Sequence, residues 1–274
     1  MPVHQALLDI GPVDTNSSPG SRTFSRDGRL FALTSTNSEV RIWDVSRRVL
    51  QSQFKQPGMQ HSDSELSNRG DRLIVWSGDD NRLHEWDLTA RPNVELQSWP
   101  APAAIKSATI SPDDRLFVAL GNEGDVIVRD LAAQNSSNPG LKSLEAGGCT
   151  FSPDGKLFAI ASSLGYARVW ETATWREAAT LRGFELGAAS VAFSPDGNRL
   201  ATGAGAAEAA IHLWDVASWQ EVLTLSAEGS SFWPTQFSPD GNTIGTMSRD
   251  GFLNVWRAPS WAEINAAETK GDAE

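Results

Sequence analysis

A single cysteine, Cys149, in 274 residues leaves no internal disulfide to form, so packing and hydrogen bonds must hold this chain together. Cys149 stands just before Thr150-Phe151, at the start of an apolar stretch, and reads as a small buried side chain. Cations are scarce: 23 Lys and Arg against 34 Asp and Glu give a net charge of −11, whereas a phosphate-binding surface needs clustered Lys and Arg. No apolar run approaches the length of a membrane span, and Met1 to Gly20 lacks the basic start and apolar core of a secretory signal. These absences predict a cytoplasmic protein that binds neither nucleic acid nor membrane.

Chemistry is equally thin. His4, His61, His84 and His212 are scattered, without Cys, His or carboxylate partners at ligand spacing, so no metal is expected. The strings HExxH, GxSxG and GxxxxGK[ST] are missing, and no catalytic or cofactor-binding residue is assigned. Gly203-Ala204-Gly205-Ala206-Ala207-Glu208 follows a strand but leads into another strand, so it reads as a lengthened hairpin turn and not a dinucleotide fingerprint. Asp79-Asp80-Asn81 offers several oxygens on one turn but too few ligands for calcium.

What the chain has is a recurring phrase, written in full as Phe151-Ser152-Pro153-Asp154-Gly155. Its serine returns at Ser25, Ser67, Ser111, Ser152, Ser194 and Ser238, at steps of 41 to 44 residues. A second column keeps the same steps at Trp43, Trp86, Arg129 (a substitution), Trp170, Trp214 and Trp256. Ser-Pro-Asp-Gly is a tight turn, because proline presets φ, aspartate bonds the nearby backbone and glycine accepts positive φ. Short apolar stretches flank it, and Leu253-Asn254-Val255-Trp256 alternates with period two, so each unit reads as four antiparallel strands. In the third unit Asp114 takes the place of the turn glycine, a position aspartate tolerates better than most residues.

These units resemble those of WD-repeat β-propellers, and the resemblance runs from about Ser21 to Arg257. Trp-Asp stands intact at residues 43–44, 86–87 and 214–215, and departs at Arg129-Asp130, Trp170-Glu171 and Trp256-Arg257. The family's Gly-His pair is absent, which removes the histidine that often braces such blades. The resemblance implies an all-β propeller of six four-stranded antiparallel blades, or part of a seven-bladed or larger one, acting as a non-catalytic platform for a protein or peptide. The units fall near 21–55, 63–98, 106–144, 147–183, 188–226 and 233–257, in one domain over residues 1–257. His4 to Ile10 resembles an outer strand and is expected to close the ring, although Ser260 to Ile264 repeats the same pattern and competes for the position. The segment 258–268 is expected as a strand or short helix, and 269–274 as a disordered tail. The stretch Trp256 to Trp261 resembles the ends of bacterial WD-repeat proteins, some of them kinase-linked, which gives an alternative reading as the docking module of a bacterial signalling assembly. A propeller enzyme or small-ligand binder would need carboxylates or histidines converging from several blades.

Trp175, Trp219 and Trp261 form a second tryptophan column and are read as structural. Trp99, Phe184, Phe232 and Trp233 fit no column and fall in segments that join one unit to the next. With Arg249 of the last unit's second turn, they are the expected partner-binding rim of a monomer, the alternative being packing between blades.

Overall fold

The computed structural model describes residues 19–35, 37–56, 63–77, 80–101, 105–141, 145–183, 187–204, 210–226, 228–229 and 232–258. Regular structure among these residues is all strand. The expected closing strand at 4–10, the competing segment from 260, the tail, Phe184 and Trp261 lie outside the described residues.

The chain falls into two compact units, Met1–Leu144 and Glu145–Glu274. In the first, sheet one runs β1 (Pro19–Phe24), β2 (Leu30–Ser35), β3 (Glu39–Asp44), β4 (Val49–Lys55). Sheet two runs β5 (Asp63–Leu66), β6 (Arg72–Trp76), β7 (Arg82–Asp87), β8 (Val94–Pro100), and sheet three β9 (Ile105–Ile110), β10 (Leu116–Gly121), β11 (Val126–Asp130), β12 (Asn135–Ser137). In the second unit, sheet four runs β13 (Ala146–Phe151), β14 (Leu157–Ser162), β15 (Tyr166–Glu171), β16 (Glu177–Arg182). Sheet five runs β17 (Ala188–Phe193), β18 (Arg199–Ala204), β19 (Ala210–Asp215), β20 (Glu221–Ser226), and sheet six has three described strands, β21 (Phe232–Phe237), β22 (Thr243–Ser248) and β23 (Leu253–Arg257). Every pairing is antiparallel between sequence neighbours, the pattern of propeller blades.

The turn chemistry read from the phrase is what shapes each first hairpin. Ser25 donates its hydroxyl to Asp27 Oδ1 at 2.6 Å, Asp27 accepts from Arg29 N, and Gly28 at φ +68° donates to Ser25 O. Ser152, Ser194 and Ser238 repeat the bond to Asp154, Asp196 and Asp240. Five residues after the Trp column comes another left-handed position, occupied by Arg48, Gln134, Trp175 and Trp219. Trp175 and Trp219 of the second tryptophan column therefore belong to this turn, and Trp175 packs edge-on against Phe158.

Within each unit, successive first strands are neighbours and sheets stack face to face. Leu30, Val40 and Ile42 of sheet one meet Leu73, Val75 and Trp86 of sheet two. Ala161, Val169 and Leu181 of sheet four meet Val191, Leu200 and Trp214 of sheet five. The column tryptophans Trp86 and Trp214 thus pack onto the preceding sheet. Gly147 permits the closest approach, since a Cβ there would lie 2.3 Å from the Ala189 carbonyl oxygen. Cys149 is half-buried on β13, more open than its sequence setting suggests.

Candidate interaction surface

Two members of the expected rim are inside the molecule. Trp99 is only 5% exposed and Phe232 fully buried, so neither ring is available to a partner. Strand register explains Trp99: it stands opposite Leu83 as Phe54 stands opposite Val40, Leu181 opposite Ala167 and Leu225 opposite Ile211. Those four residues form an apolar column at the end of the outer strand. Strand β8 reaches Pro100, so Trp99 is in a strand and not in the connection. Phe232 likewise opens β21, opposite Ser248, and packs with Ala201 and Ile211 of sheet five. Trp233 lies in β21.

Arg129, standing in the tryptophan column of sheet three, is turned toward sheet two, where its guanidinium lies 4.4 Å from the centre of the Trp99 ring. It donates to Gln97 Oε1 at 2.9 Å, Gln97 donates to Glu85 Oε2 at 2.6 Å, and Arg72 pairs with Glu85 Oε1 at 2.6 Å. Glu85 is fully buried, and this chain of partners is what makes a carboxylate there affordable. Two departures from the repeat, Trp99 and Arg129, therefore answer one another.

The missing family histidine has local substitutes. Trp86 Nε1 donates to Gln56 Oε1 at 3.0 Å, and Gln56 Nε2 lies 3.2 Å from His84 Nδ1. The His84 ring sits between two carboxylates, Glu95 at 2.6 Å and Asp80 at 2.7 Å. In sheet five Trp214 Nε1 donates to Thr202 Oγ1, while His212 Nδ1 lies 3.0 Å from Glu221. Both histidines stand two residues before a column tryptophan, a coincidence visible in the sequence that would have marked them as braces.

Most perturbed carboxyls are likewise engaged in structure. Serine hydroxyls hold Asp27, Asp196 and Asp240 below their ordinary value. At Asp113 and Asp154 desolvation pushes upward, and the hydroxyl and backbone bonds outweigh it. Asp44, Asp87 and Asp215 are lowered by the hydroxyls of Ser46, Thr89 and Ser218, and Asp130 by the Ala133 amide. The exception is on β5, where desolvation pushes the half-buried Glu65 up to about 8.

Arg249 is where the rim expectation and an exposed surface coincide. Strands β22 and β23 join through a tight turn in which Ser248 N donates to Phe252 O and Gly251 adopts φ +89°, leaving Arg249 exposed at its tip. It makes no ion pair among the described residues. Met247, Phe252, Leu253 and Val255 around it are all exposed, Leu253 by 70%. Three residues before the column tryptophan, the position of Leu253, sheets one, two, four and five carry Val40, Leu83, Ala167 and Ile211, all fully buried.

Residues 175–215 match the WD domain, G-beta repeat family. The chain is 24% identical over 246 residues to Protein FIZZY-RELATED 3 of Arabidopsis thaliana, covering 73% of this chain and 50% of that protein. It is 30% identical over 171 residues to target of rapamycin complex subunit LST8 of Bos taurus, covering 58% and 52%. With the serine-threonine kinase receptor-associated protein of Gallus gallus it shares 28% over 141 residues, covering 51% and 39%. The chain spans about half the length of the first curated relatives it matches. Residues 175–215 thus match one such repeat, and the return of the same phrase through sheets of propeller-blade type makes the chain similar to WD-repeat proteins.

Proposed function

We infer that the chain is a non-catalytic scaffold that binds a protein or peptide partner, with the β22–β23 hairpin as part of the contact. The observation that carries this is the exposure of Met247, Arg249 and Phe252 together on one hairpin. Contiguous exposed apolar surface marks interaction sites, and arginine among apolar neighbours is a frequent source of interface energy. The repeat's aspartates support the non-catalytic part of the reading, since their oxygens are taken up in turns. The net charge of −11 favours a soluble, monomeric, cytoplasmic protein without nucleic-acid or membrane partners.

A second form of the reading follows from the relatives' names, one a complex subunit and another receptor-associated. In that form the chain is the docking part of a kinase-linked signalling assembly, of the bacterial kind that its Trp256–Trp261 stretch resembles.

Affinity capture with mass spectrometry identifies the partner, and alanine variants then locate the contact. Arg249→Ala and Phe252→Ala should each weaken capture, by about 2 kcal/mol for a true hot spot, with the unfolding midpoint nearly unchanged. Trp99→Ala should do the opposite, lowering the midpoint while the folded fraction still captures. Wild-type capture by both hairpin variants would remove the hairpin from the contact.

A further inference from the structure

Arg129 is a buried cation without a counter-charge. It is only 6% exposed, and it stands where the other five units carry the column tryptophan. Its Nη2 donates to Gln97 Oε1 at 2.9 Å and its Nη1 to Ser136 Oγ at 3.2 Å, both neutral acceptors, and no carboxylate pairs with it among the described residues. The buried Nε–H has no acceptor. Glu85 is reached only through Gln97. Asp130, next along the strand, points to the opposite face and is taken up by the Arg115 side chain and the amides of Ala132 and Ala133. A hydrogen bond from a guanidinium to an anion is roughly twice as strong as one between neutral groups, so what this arginine lacks is a charged acceptor.

Ser136 is the exposed one of its two hydrogen-bonding partners. Strand β12 is the outermost strand of sheet three and pairs with β11 alone, in a register that sets Ser136 opposite Arg129. Its three residues are all exposed, and exposure runs through 132–138. An open groove of about 330 Å³, lined by Asp125, Ile127, Ser136, Ser137 and Asn138, borders the strand. A short polar strand at a sheet edge has few bonds to break before it presents its side chains to an enzyme in extended form. A free anion meets little of the buried guanidinium, whereas a group carried on Ser136 arrives at bonding distance. Ser137 stands opposite Val128 and faces the other way. Ser98 also accepts from a guanidinium, that of Arg82, but it is half-buried opposite His84, where the Asp80 and Glu95 carboxylates would repel a second anion.

We propose that Ser136 is a phosphorylation site whose phosphoryl group is received by the Arg129 guanidinium. In the transfer the Ser136 hydroxyl oxygen bonds to the γ-phosphorus of a nucleoside triphosphate brought by a protein kinase. The bond from that phosphorus to its bridging oxygen breaks, the hydroxyl proton passes to a base of the kinase, and a nucleoside diphosphate leaves. Phosphoserine carries about −1.5 to −2 charges at neutral pH and three strong acceptor oxygens, where the serine offered one neutral oxygen. Because Arg129 is anchored to sheet two by Trp99 and Gln97, the modified side chain would tie the outermost strand of sheet three to sheet two through a charged link. The site is separate from the β22–β23 contact and does not depend on it.

The full chain, incubated with an extract of the cells that produce it and a nucleoside triphosphate labelled on its γ-phosphorus, should take up label. Ser136→Ala should take up about fivefold less, and Ser137→Ala as much as the wild type. No uptake by the wild type, or equal uptake by Ser136→Ala, would overturn the site. Reception is tested on chains carrying phosphoserine introduced during synthesis at 136 or at 137. Phosphorus NMR should show the phosphate titrating about half a pH unit lower at 136 than at 137, since a nearby cation favours its more charged form. Arg129→Lys should keep part of that displacement and Arg129→Gln should remove it. The comparison of 136 with 137 needs no Arg129 variant, so a variant that fails to fold leaves the test intact. Equal titration at the two positions would overturn the part given to Arg129.

Discussion

Asp114 accepts four hydrogen bonds from the turn of the preceding sheet: from Asn68 N and Nδ2 at 2.5 and 2.9 Å, and from Arg69 N and Nε at 3.0 and 3.2 Å. Four of the other five repeats put proline at the Asn68 position, the first having Arg26, and all five put glycine at the Asp114 position; a Cβ on Gly197 or Gly241 would touch Pro153 or Pro195. Proline has no N–H to give. Asn68 and Asp114 are therefore a matched exchange, and Asp114 does more than tolerate its φ of +61°. Asp114→Gly should cost about 2 kcal/mol, the range for hydrogen bonds to a charged group, although it relieves the left-handed backbone. Adding Asn68→Pro restores the contact found in the other turns and should recover part of the loss, so urea unfolding of the four-member cycle should show coupling. Additive losses would mean that the two substitutions are independent. The sequence displayed both departures but not their pairing, because nothing linear says that residues 46 apart share a turn-to-turn contact. Trp99 was hidden for a related reason: the connection after the column is longer in sheet two, which moves the tryptophan out of step with Phe54, Leu181 and Leu225.

At the scale of the element, the tight turns and third strands were legible because the residues that make them are local and periodic. Strand lengths were not. The three residues of β12 are Asn, Ser and Ser, with no apolar alternation to mark a strand, and its early end is what opens the groove beside Asp125. Arg249 was placed correctly on an exposed turn because the Asp-Gly pair after it fixes the hairpin, whereas residues such as Phe232 were assigned to connections on the absence of a pattern. Sheet stacking gives its own test. Gly147→Ala would put a methyl against the Ala189 carbonyl, forcing β13 and β17 apart, and should lower the unfolding midpoint in calorimetry by several degrees. Gly245→Ala, on β22 with no atom within 4 Å of the added carbon, should change it little. Equal effects would show that close sheet approach is not what Gly147 serves.

Over the whole molecule, carboxyl chemistry sets two opposing trends with pH. Nine aspartates, Asp27, Asp44, Asp87, Asp113, Asp130, Asp154, Asp196, Asp215 and Asp240, are held below their ordinary 3.8, so their contribution is present above that value and lost as pH falls through the folded values. Glu65 behaves oppositely. Its contribution is complete below 4.5 and is lost as pH rises through about 8. The midpoint of thermal unfolding should accordingly peak in mildly acid solution and decline on both sides. Glu65→Gln should flatten the decline between pH 4.5 and 8 and leave the acid limb unchanged; an unaltered alkaline limb would remove Glu65 as its cause. The cross-sheet partnerships carry a consequence for how such a chain can be rebuilt. Sheets two and three hold Asn68 against Asp114, Trp99 against Arg129, and Gln97 between Glu85 and Arg129. Transplanting either sheet alone into another repeat array would strand half of each pair, so the exchangeable module here, for recombination or for a designer splicing repeats, is a doublet of sheets.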